Sequence, residues 1–388
     1  MRSLIQWITR TRPLAAAVIR NILKGEGIGR LKAVNTLFDA DKIVHNFSNM
    51  NAAFLNVELE HGSEPATPLR VGPEMTMPAN YGAWVTTRTV TSMLVLKNGQ
   101  IAHQSYYQGT GPDDRRISWS VAKSYLSALF GILIDEGAIT SLDDPVTKYV
   151  PRLTGGAYDG ASLRDVLQMS SGITFDEDYL SYDSDINQMG RVLALGGKMD
   201  DFAAGLTKVF APAGQQWQYT SIDTHVIGMI ARGATGRNIT DLISDKIIAK
   251  LGQEQAPYYL TDGDGVAFVL GGLNITTRDY ARFGQMILQD GQWNGQQVVP
   301  SDWIAQSTSA SAKTAAGEIG YGYQWWVPVG AAKGCEFMAR GIYGQYIYID
   351  KPASVVIVST GADRLFREDG VIDQNIEIFR QIVAASEG

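Results

Sequence analysis

The stretch WSVAKSYLSALFGILI, residues 119–134, decides how this chain is organised. A helix built from it would be apolar on nearly every side, which is typical of a helix buried in the middle of a large domain. Gly137 follows shortly afterwards, where a helix C-terminal glycine is expected. The sequence therefore predicts a fold assembled around one central helix.

Two polar residues, Ser120 and Lys123, stand at the start of this run. Residues three apart share one side of a helix, with about 5–6 Å between their Cβ atoms. The first turn of a helix favours an oxyanion and disfavours an ammonium, and burial also favours the neutral amine. A lysine that is neutral near pH 7 can accept the proton of a serine hydroxyl. The spacing alone fits equally well a helix-capping serine beside a solvated lysine, and both interpretations stay open at this point.

Strands are predicted on both sides of the central helix. Asn98-Gly99 joins the apolar runs 91–96 and 101–107 in the pattern of a tight hairpin. Residues 343–350 and 355–360 form a second β-rich pair near the C-terminus. Helical patterns cover residues 163–169, 224–234, 239–251, 278–288 and 371–385.

The order of these elements predicts an α+β fold, with an antiparallel sheet built from both ends of the chain, flanked by helices, and a helical lobe inserted between them. Residues 1–77 are interpreted as an N-terminal helical segment and connector. Residues 78–155 and 265–388 are expected to form the α/β lobe, and residues 156–264 the helical lobe.

Composition excludes several classes of function. A net charge of −7 argues against a nucleic-acid partner, which requires a surplus of Lys and Arg. The single cysteine, Cys335, excludes an internal disulfide. Four histidines without an H-E-x-x-H pair leave little from which to build a metal site. We expect a small-molecule substrate and neither a metal nor a cofactor. The chain could also form a homodimer, and the sequence leaves this question open.

The first 24 residues are basic, with four arginines, one lysine and no acid, and apolar residues recur at roughly helical spacing. Three interpretations compete: a packed terminal helix, a helix touching a membrane surface, and a secretion signal. The packed helix is favoured, since the apolar run 14–19 is too short to span a membrane and no small-residue cleavage site follows it. The expected location is the cytoplasm, with periplasmic or membrane-associated locations as alternatives.

Two further segments contain candidate site residues. Tyr219 begins the triplet Tyr-Thr-Ser that ends at Ser221. Beside a cationic or hydrogen-bonding lysine, the phenol of Tyr219 would become accessible as a phenolate and could relay a proton. Gly341-Ile342 enters the penultimate strand, where a glycine lets the backbone approach a ligand and the next N–H can donate to an oxyanion. Taken singly, a packed tyrosine and a plain β-bulge explain these residues as well.

In combination, these segments resemble the β-lactamase-like serine hydrolases, a group that includes class C β-lactamases, D-alanyl-D-alanine carboxypeptidases, family VIII carboxylesterases and 6-aminohexanoate-dimer hydrolases. The resemblance covers residues 78–385. It rests on the Ser120–Lys123 pair together with LDDPV at 142–146, YVP at 149–151, LRDVLQMSSG at 163–172, GGL at 271–273 and DYARFG at 279–284. Their order and spacing are far more specific than any one motif.

The resemblance implies a β-lactamase/transpeptidase-like fold with the site in a cleft between the lobes. Ser120 would be the nucleophile, Lys123 and Tyr219 would carry its proton, and the backbone N–H groups of Ser120 and Ile342 would form the oxyanion hole. Substrate-binding roles are implied for Gly341, for Ser221 and, through the leaving amide nitrogen, for Tyr179.

Two departures separate the chain from the antibiotic-hydrolysing branch. Ser221 stands where β-lactamases have Asn, and Ala339-Arg340-Gly341 stands where they have Lys-Thr-Gly or His-x-Gly. An esterase or linear amidase is therefore predicted, with a D-alanyl-D-alanine carboxypeptidase or class C-like β-lactamase as one alternative and a catalytically silent binding protein as another. A Ser-His-Asp hydrolase is disfavoured because no G-x-S-x-G motif occurs, and His225 is interpreted as structural.

Overall fold

The computed structural model describes residues 27–62 and 65–387. The basic segment 1–24, for which a helix was predicted, lies outside the described residues, as do two residues of the predicted connector.

The strands, in chain order, are β1 (Asn56–Glu58), β2 (Arg70–Val71), β3 (Val90–Lys97), β4 (Gln100–Tyr106), β5 (Arg116–Ile117), β6 (Tyr258–Leu260), β7 (Leu273–Ile275), β8 (Gln292–Trp293), β9 (Gln296–Gln297), β10 (Gly320–Tyr321), β11 (Trp326–Val327), β12 (Glu336–Gly341), β13 (Gln345–Asp350) and β14 (Val355–Gly361). Among the described residues they form one eight-stranded sheet, one four-stranded sheet and a short ribbon.

The α-helices are α1 (Gly27–Asn35), α2 (Ile43–Ser48), α3 (Tyr81–Thr87), α4 (Ala122–Asp135), α5 (Val146–Tyr149), α6 (Leu163–Leu167), α7 (Asp185–Ala194), α8 (Met199–Ala204), α9 (Ser221–Thr235), α10 (Ile239–Ile243), α11 (Ala249–Leu251), α12 (Thr277–Leu288), α13 (Ser301–Ser307) and α14 (Val371–Ala385). The predicted helix 239–251 is divided, because the π-helical turn Ser244–Ile248 separates α10 from α11. Short 3₁₀ turns cover Met50–Ala52, Trp119–Val121 and Pro151–Leu153.

The main sheet combines strands from both ends of the chain, in the order β10-β11-β12-β13-β14-β3-β4-β2. Among the described strands of this sheet, every neighbouring pair from β10 to β4 is antiparallel, and the edge strand β2 pairs in parallel with β4. Both predicted hairpins are present, and Asn98 and Gly99 adopt the positive φ angles that a tight turn requires. The predicted α+β architecture is confirmed.

Helices cover both faces of this sheet. Along β3, Leu94 and Leu96 point to the same core as Phe283 of α12, whereas Met93 and Val95 pack in the cluster that contains Phe379 of α14. This alternation is the two-residue period of a strand that is buried on both faces.

The central helix α4 is buried from Ala122 to Leu133, as its apolar composition predicts. Its two buried serine hydroxyls are satisfied: Ser124 donates to the carbonyl of Gln324, and Ser127 donates to the carbonyl of Tyr323. The core of the molecule therefore anchors the helix that follows Ser120.

The four-stranded sheet, in the order β1-β6-β7-β5, was not predicted from the sequence. It positions the start of the central helix, because β5 ends immediately before Ser118, whose N–H donates to the carbonyl of Leu273 in β7 at 2.7 Å. One of its strands, β6, lies within the segment predicted to be the helical lobe. Within the described residues, no helix combines the length and apolar character needed to cross a membrane.

Candidate active site

Ser120 lies in the 3₁₀ turn Trp119–Val121 that leads into α4, two residues before α4 begins at Ala122. Trp119 adopts φ +41°, a left-handed conformation that is costly for a bulky side chain and that clusters at functional sites. Its ring is held edge-on by Phe47 at 5.5 Å between centroids and lies 6.1 Å from Tyr343. Aromatic packing thus stabilises the strained turn that presents the serine hydroxyl.

Lys123 is buried, with 2% of its surface exposed, and its Nζ atom lies 2.9 Å from the Oγ atom of Ser120. The same Nζ donates to the carbonyl oxygen of Leu270 at 2.7 Å, which fixes its position. Burial lowers the pKa of Lys123 to about 7, although the charge of Glu177 opposes this shift. Near neutral pH the amine is therefore divided between its charged and neutral forms.

Tyr219 completes the group. The Nζ atom of Lys123 lies 5.5 Å from the centroid of its ring, which stacks on Trp326 at 5.2 Å. Burial raises the pKa of the Tyr219 phenol and the charge of Glu177 acts in the same direction, whereas a hydrogen bond with Ser120 lowers it. These effects keep the phenol protonated near neutral pH, whereas the sequence had suggested an accessible phenolate.

Gly341, at the end of β12, lies against the turn that contains Ser120. A Cβ atom at this position would be 2.6 Å from the carbonyl oxygen of Ser118 and 3.1 Å from the backbone nitrogen of Ser120. The glycine therefore permits a close approach of β12 to the turn that contains Ser120. Ile342 directly follows Gly341. In the described part of the chain, the backbone N–H of Ile342 has no hydrogen-bond acceptor.

Glu177 is a residue of the site that the sequence analysis missed. Its carboxylate accepts hydrogen bonds from the backbone N–H of Ser221 at 3.0 Å, from the Ser221 hydroxyl, and from the Tyr179 hydroxyl at 2.6 Å. Two of the three residues predicted to bind substrate, Tyr179 and Ser221, thus share one carboxylate partner. The only signal was a glutamate two residues before Tyr179 in an acidic loop, which also describes a solvated surface.

Arg340 extends along the same aromatic wall, with its Cζ atom 5.2 Å from the centroid of Trp326. Its positive charge lowers the pKa of Tyr219, opposing the larger effect of burial. The guanidinium is therefore electrostatically coupled to the site.

His225 is buried in α9 and its Nε2 atom lies 2.8 Å from a carboxylate oxygen of Asp200, which also accepts a hydrogen bond from Arg232. This arrangement matches the structural interpretation of His225. Among the described residues, no group of His, Cys, Asp and Glu side chains could hold a metal ion.

Asp223 lies in the first turn of α9, fully buried below Ser221. It accepts hydrogen bonds from the hydroxyls of Tyr158 and Ser171, both at 2.8 Å. Burial raises the pKa of Asp223 to about 7 and the charge of Glu177 adds to the shift. Asp223 and Lys123 therefore both experience the charge of Glu177, which raises the pKa of each.

Comparison with known proteins matches residues 86–373 to the family model described as Beta-lactamase. A 6-aminohexanoate-dimer hydrolase of Paenarthrobacter ureafaciens is 33% identical over 281 residues, which cover 69% of this chain and 71% of that protein.

Solved structures share the fold. A Bacillus anthracis protein provisionally described as a 6-aminohexanoate-dimer hydrolase superimposes with a TM-score of 0.80 at 22% identity, over 90% of this chain and 96% of that chain. A D-stereospecific amidohydrolase from Streptomyces sp. gives a TM-score of 0.58 at 19% identity, over 75% of this chain and 95% of that chain.

Proposed function

We propose that this chain, which belongs to the β-lactamase family and is a serine hydrolase, cleaves small carboxylic esters or linear amides. The reaction proceeds through an acyl-enzyme on Ser120. The observation that carries the proposal is the 2.9 Å contact between Ser120 Oγ and a buried Lys123 amine whose pKa is lowered to about 7. A buried amine of this kind is the base that a serine nucleophile needs.

Acylation begins when the Oγ atom of Ser120 attacks the carbonyl carbon of the substrate and its proton passes to the neutral Nζ atom of Lys123. The negative charge that develops on the carbonyl oxygen is stabilised by the backbone N–H groups of Ser120 and Ile342. The bond to the leaving group then breaks, and the leaving oxygen or nitrogen takes a proton from the Tyr219 phenol. Lys123 returns the proton to Tyr219, so these two residues recover their starting protonation states while Ser120 carries the acyl group.

Deacylation follows the same path in reverse. A water molecule attacks the acyl carbon while giving its proton to Lys123 through Tyr219, and Ser120 leaves with a proton from Lys123. The free acid is released and Ser120 is regenerated.

Esters and linear amides are proposed as substrates, rather than β-lactams, on three grounds. Arg340-Gly341 replaces the Lys-Thr-Gly of the antibiotic-hydrolysing branch, and Ser221 is engaged by Glu177. The 33% identical relative bears the name of a hydrolase of the 6-aminohexanoate dimer, which is a linear amide.

The test is a panel of three substrates, p-nitrophenyl butyrate, the linear 6-aminohexanoate dimer and nitrocefin, assayed with the wild-type protein and a Ser120→Ala variant. We expect turnover of the ester or the linear amide by the wild type and its loss in the variant. Dominant turnover of nitrocefin would favour a β-lactamase instead. No turnover of any substrate, with no labelling by a fluorophosphonate, would favour a silent binding protein.

We also propose a cytoplasmic location. Cys335 is a half-exposed free thiol, and such a thiol is compatible with a reducing compartment. Fractionation of cells that express the full chain tests the location, and recovery in a periplasmic or membrane fraction would contradict it.

A further inference from the structure

We propose that Glu177 is a positioning residue of this hydrolase, whose carboxylate fixes Tyr179 and Ser221 at the site and supplies the negative charge that faces Lys123. This inference rests on the proposed function, in which Lys123 is the base. Glu177 has two separable effects, one on the geometry of the site and one on its charge.

The geometric effect follows from the three hydrogen bonds that converge on this one carboxylate. Two come from Ser221, which is the first residue of α9, and one comes from the hydroxyl of Tyr179. A carboxylate at the N-terminus of a 15-residue helix is favourably placed for the helix dipole. Glu177 therefore ties its own loop to the chain segment that carries Tyr219, two residues before Ser221.

The charge effect follows from the environment of Lys123. Burial lowers the pKa of this amine, whereas the charge of Glu177 raises it. Glu177 therefore favours the protonated, positively charged form of Lys123. The same carboxylate raises the pKa of Tyr219, Tyr179 and Asp223.

Other charged and titratable groups also face this region. The ring of Tyr219 lies beside the amine, Tyr179 binds Glu177 directly, and the buried Asp223 follows Ser221 by two residues in α9. Arg340 acts on the Tyr219 phenol with the opposite sign from Glu177. Of these groups, Asp223 also titrates near neutral pH, so its contribution has to be separated from that of Lys123.

The two effects appear in different parts of a pH–rate profile. Activity requires neutral Lys123, so kcat/KM rises with pH through the pKa of this amine in the free enzyme. Replacing Glu177 with glutamine removes the negative charge, which should lower that pKa and move the acidic limb to lower pH. Glutamine keeps one acceptor oxygen but places an NH2 donor where the other oxygen was, so at least one of the hydrogen bonds from Ser221 and Tyr179 is lost, which should lower the plateau. A residue with a merely structural role would lower the plateau and leave the limb in place.

The experiment measures kcat/KM for p-nitrophenyl butyrate from pH 5 to 9 in the wild type and in Glu177→Gln, Glu177→Asp and Ser221→Ala. For Glu177→Gln we expect a limb roughly one pH unit lower and a plateau reduced about tenfold or more. Glu177→Asp, which keeps the charge but is shorter, should retain the wild-type limb with a reduced plateau. Ser221→Ala, which loses a hydroxyl but no charge, should behave in the same way as Glu177→Asp.

The profile is repeated in an Asp223→Asn background, where the limb that remains belongs to Lys123. An active Glu177→Gln enzyme whose limb coincides with that of the wild type would overturn the inference. If Glu177→Gln does not fold, as judged by its melting curve, a limb that moves in Glu177→Asp by the amount expected for glutamine would also overturn it. Failure of the proposed function is a different result, namely wild-type protein without turnover or Ser120→Ala protein with full turnover.

Discussion

Replacing Gly341 with alanine should separate the two backbone donors proposed for the oxyanion. The added Cβ atom would lie 2.6 Å from the carbonyl oxygen of Ser118, and ordinary contact begins at 3.4 Å, so the strand end must retreat by about 0.8 Å. The nearest atoms also include the backbone nitrogen of Ser120 and the Cβ atom of Trp119, both at 3.1 Å, and since side-chain rotation moves none of these atoms it cannot relieve the contact.

A retreat of this size has a defined chemical consequence. It lengthens a donor–acceptor distance of about 2.9 Å to more than about 3.5 Å, beyond the range of a useful hydrogen bond. Loss of one oxyanion donor lowers kcat by roughly 10²–10³. We therefore expect Gly341→Ala to lower kcat at least about 100-fold with little change in KM, and overpacking to cost about 1–3 kcal/mol of folding stability.

Steady-state kinetics with p-nitrophenyl butyrate, together with a thermal melt, measure both effects. Gly82→Ala is the matched control, because Gly82 lies within helix α3 and a Cβ atom there meets nothing within 4 Å. The control should keep the wild-type kcat. A cooperatively folded Gly341→Ala enzyme with wild-type kcat would refute the assignment of this turn as the oxyanion site.

Three further variants test the proton path and the buried charges. Lys123→Met should lower kcat/KM by roughly 10³-fold or more. The variant should nevertheless melt at or above the wild-type temperature, because an apolar side chain replaces a buried amine. Steady-state kinetics and a thermal melt measure these two effects, and a large fall in melting temperature would contradict the second expectation. Tyr219→Phe keeps the ring stacked on Trp326 and should lower kcat roughly 10²–10⁴-fold at an unchanged melting temperature, so an unchanged kcat would exclude the phenol as proton donor. Burial raises the pKa of Asp223 to about 7, above the value of about 3.9 in the unfolded chain, so this group should destabilise the wild type relative to Asp223→Asn progressively as pH rises from about 4 to 7. Urea unfolding of both proteins at several pH values measures that gap, and a gap independent of pH would show that Asp223 titrates normally.

Elements with local signals were predictable from the sequence. Asn98-Gly99 determines its hairpin because few other dipeptides adopt the required positive φ angles, and the structure has that turn. The apolar run after Lys123 forms α4, and the closing amphipathic pattern forms α14 (Val371–Ala385).

The small sheet was not predictable, for a physical reason. Its strands are two or three residues long, too short to show alternation, and β1 pairs with β6 across about 200 residues of chain. Glu177 was missed for a related reason. Nothing in an acidic loop distinguishes a carboxylate that accepts three hydrogen bonds from a solvated one until the loop is folded against the start of α9.

The claim that Lys123 activates Ser120 is tested most directly by the rate at which a fluorophosphonate modifies the protein as a function of pH, with the modified peptide identified by mass spectrometry. We predict modification at Ser120 in the wild type, at a rate that rises through a midpoint near pH 7, and negligible modification in Lys123→Met. Modification that maps to another residue, or a Lys123→Met protein that reacts as fast as the wild type, would contradict the claim.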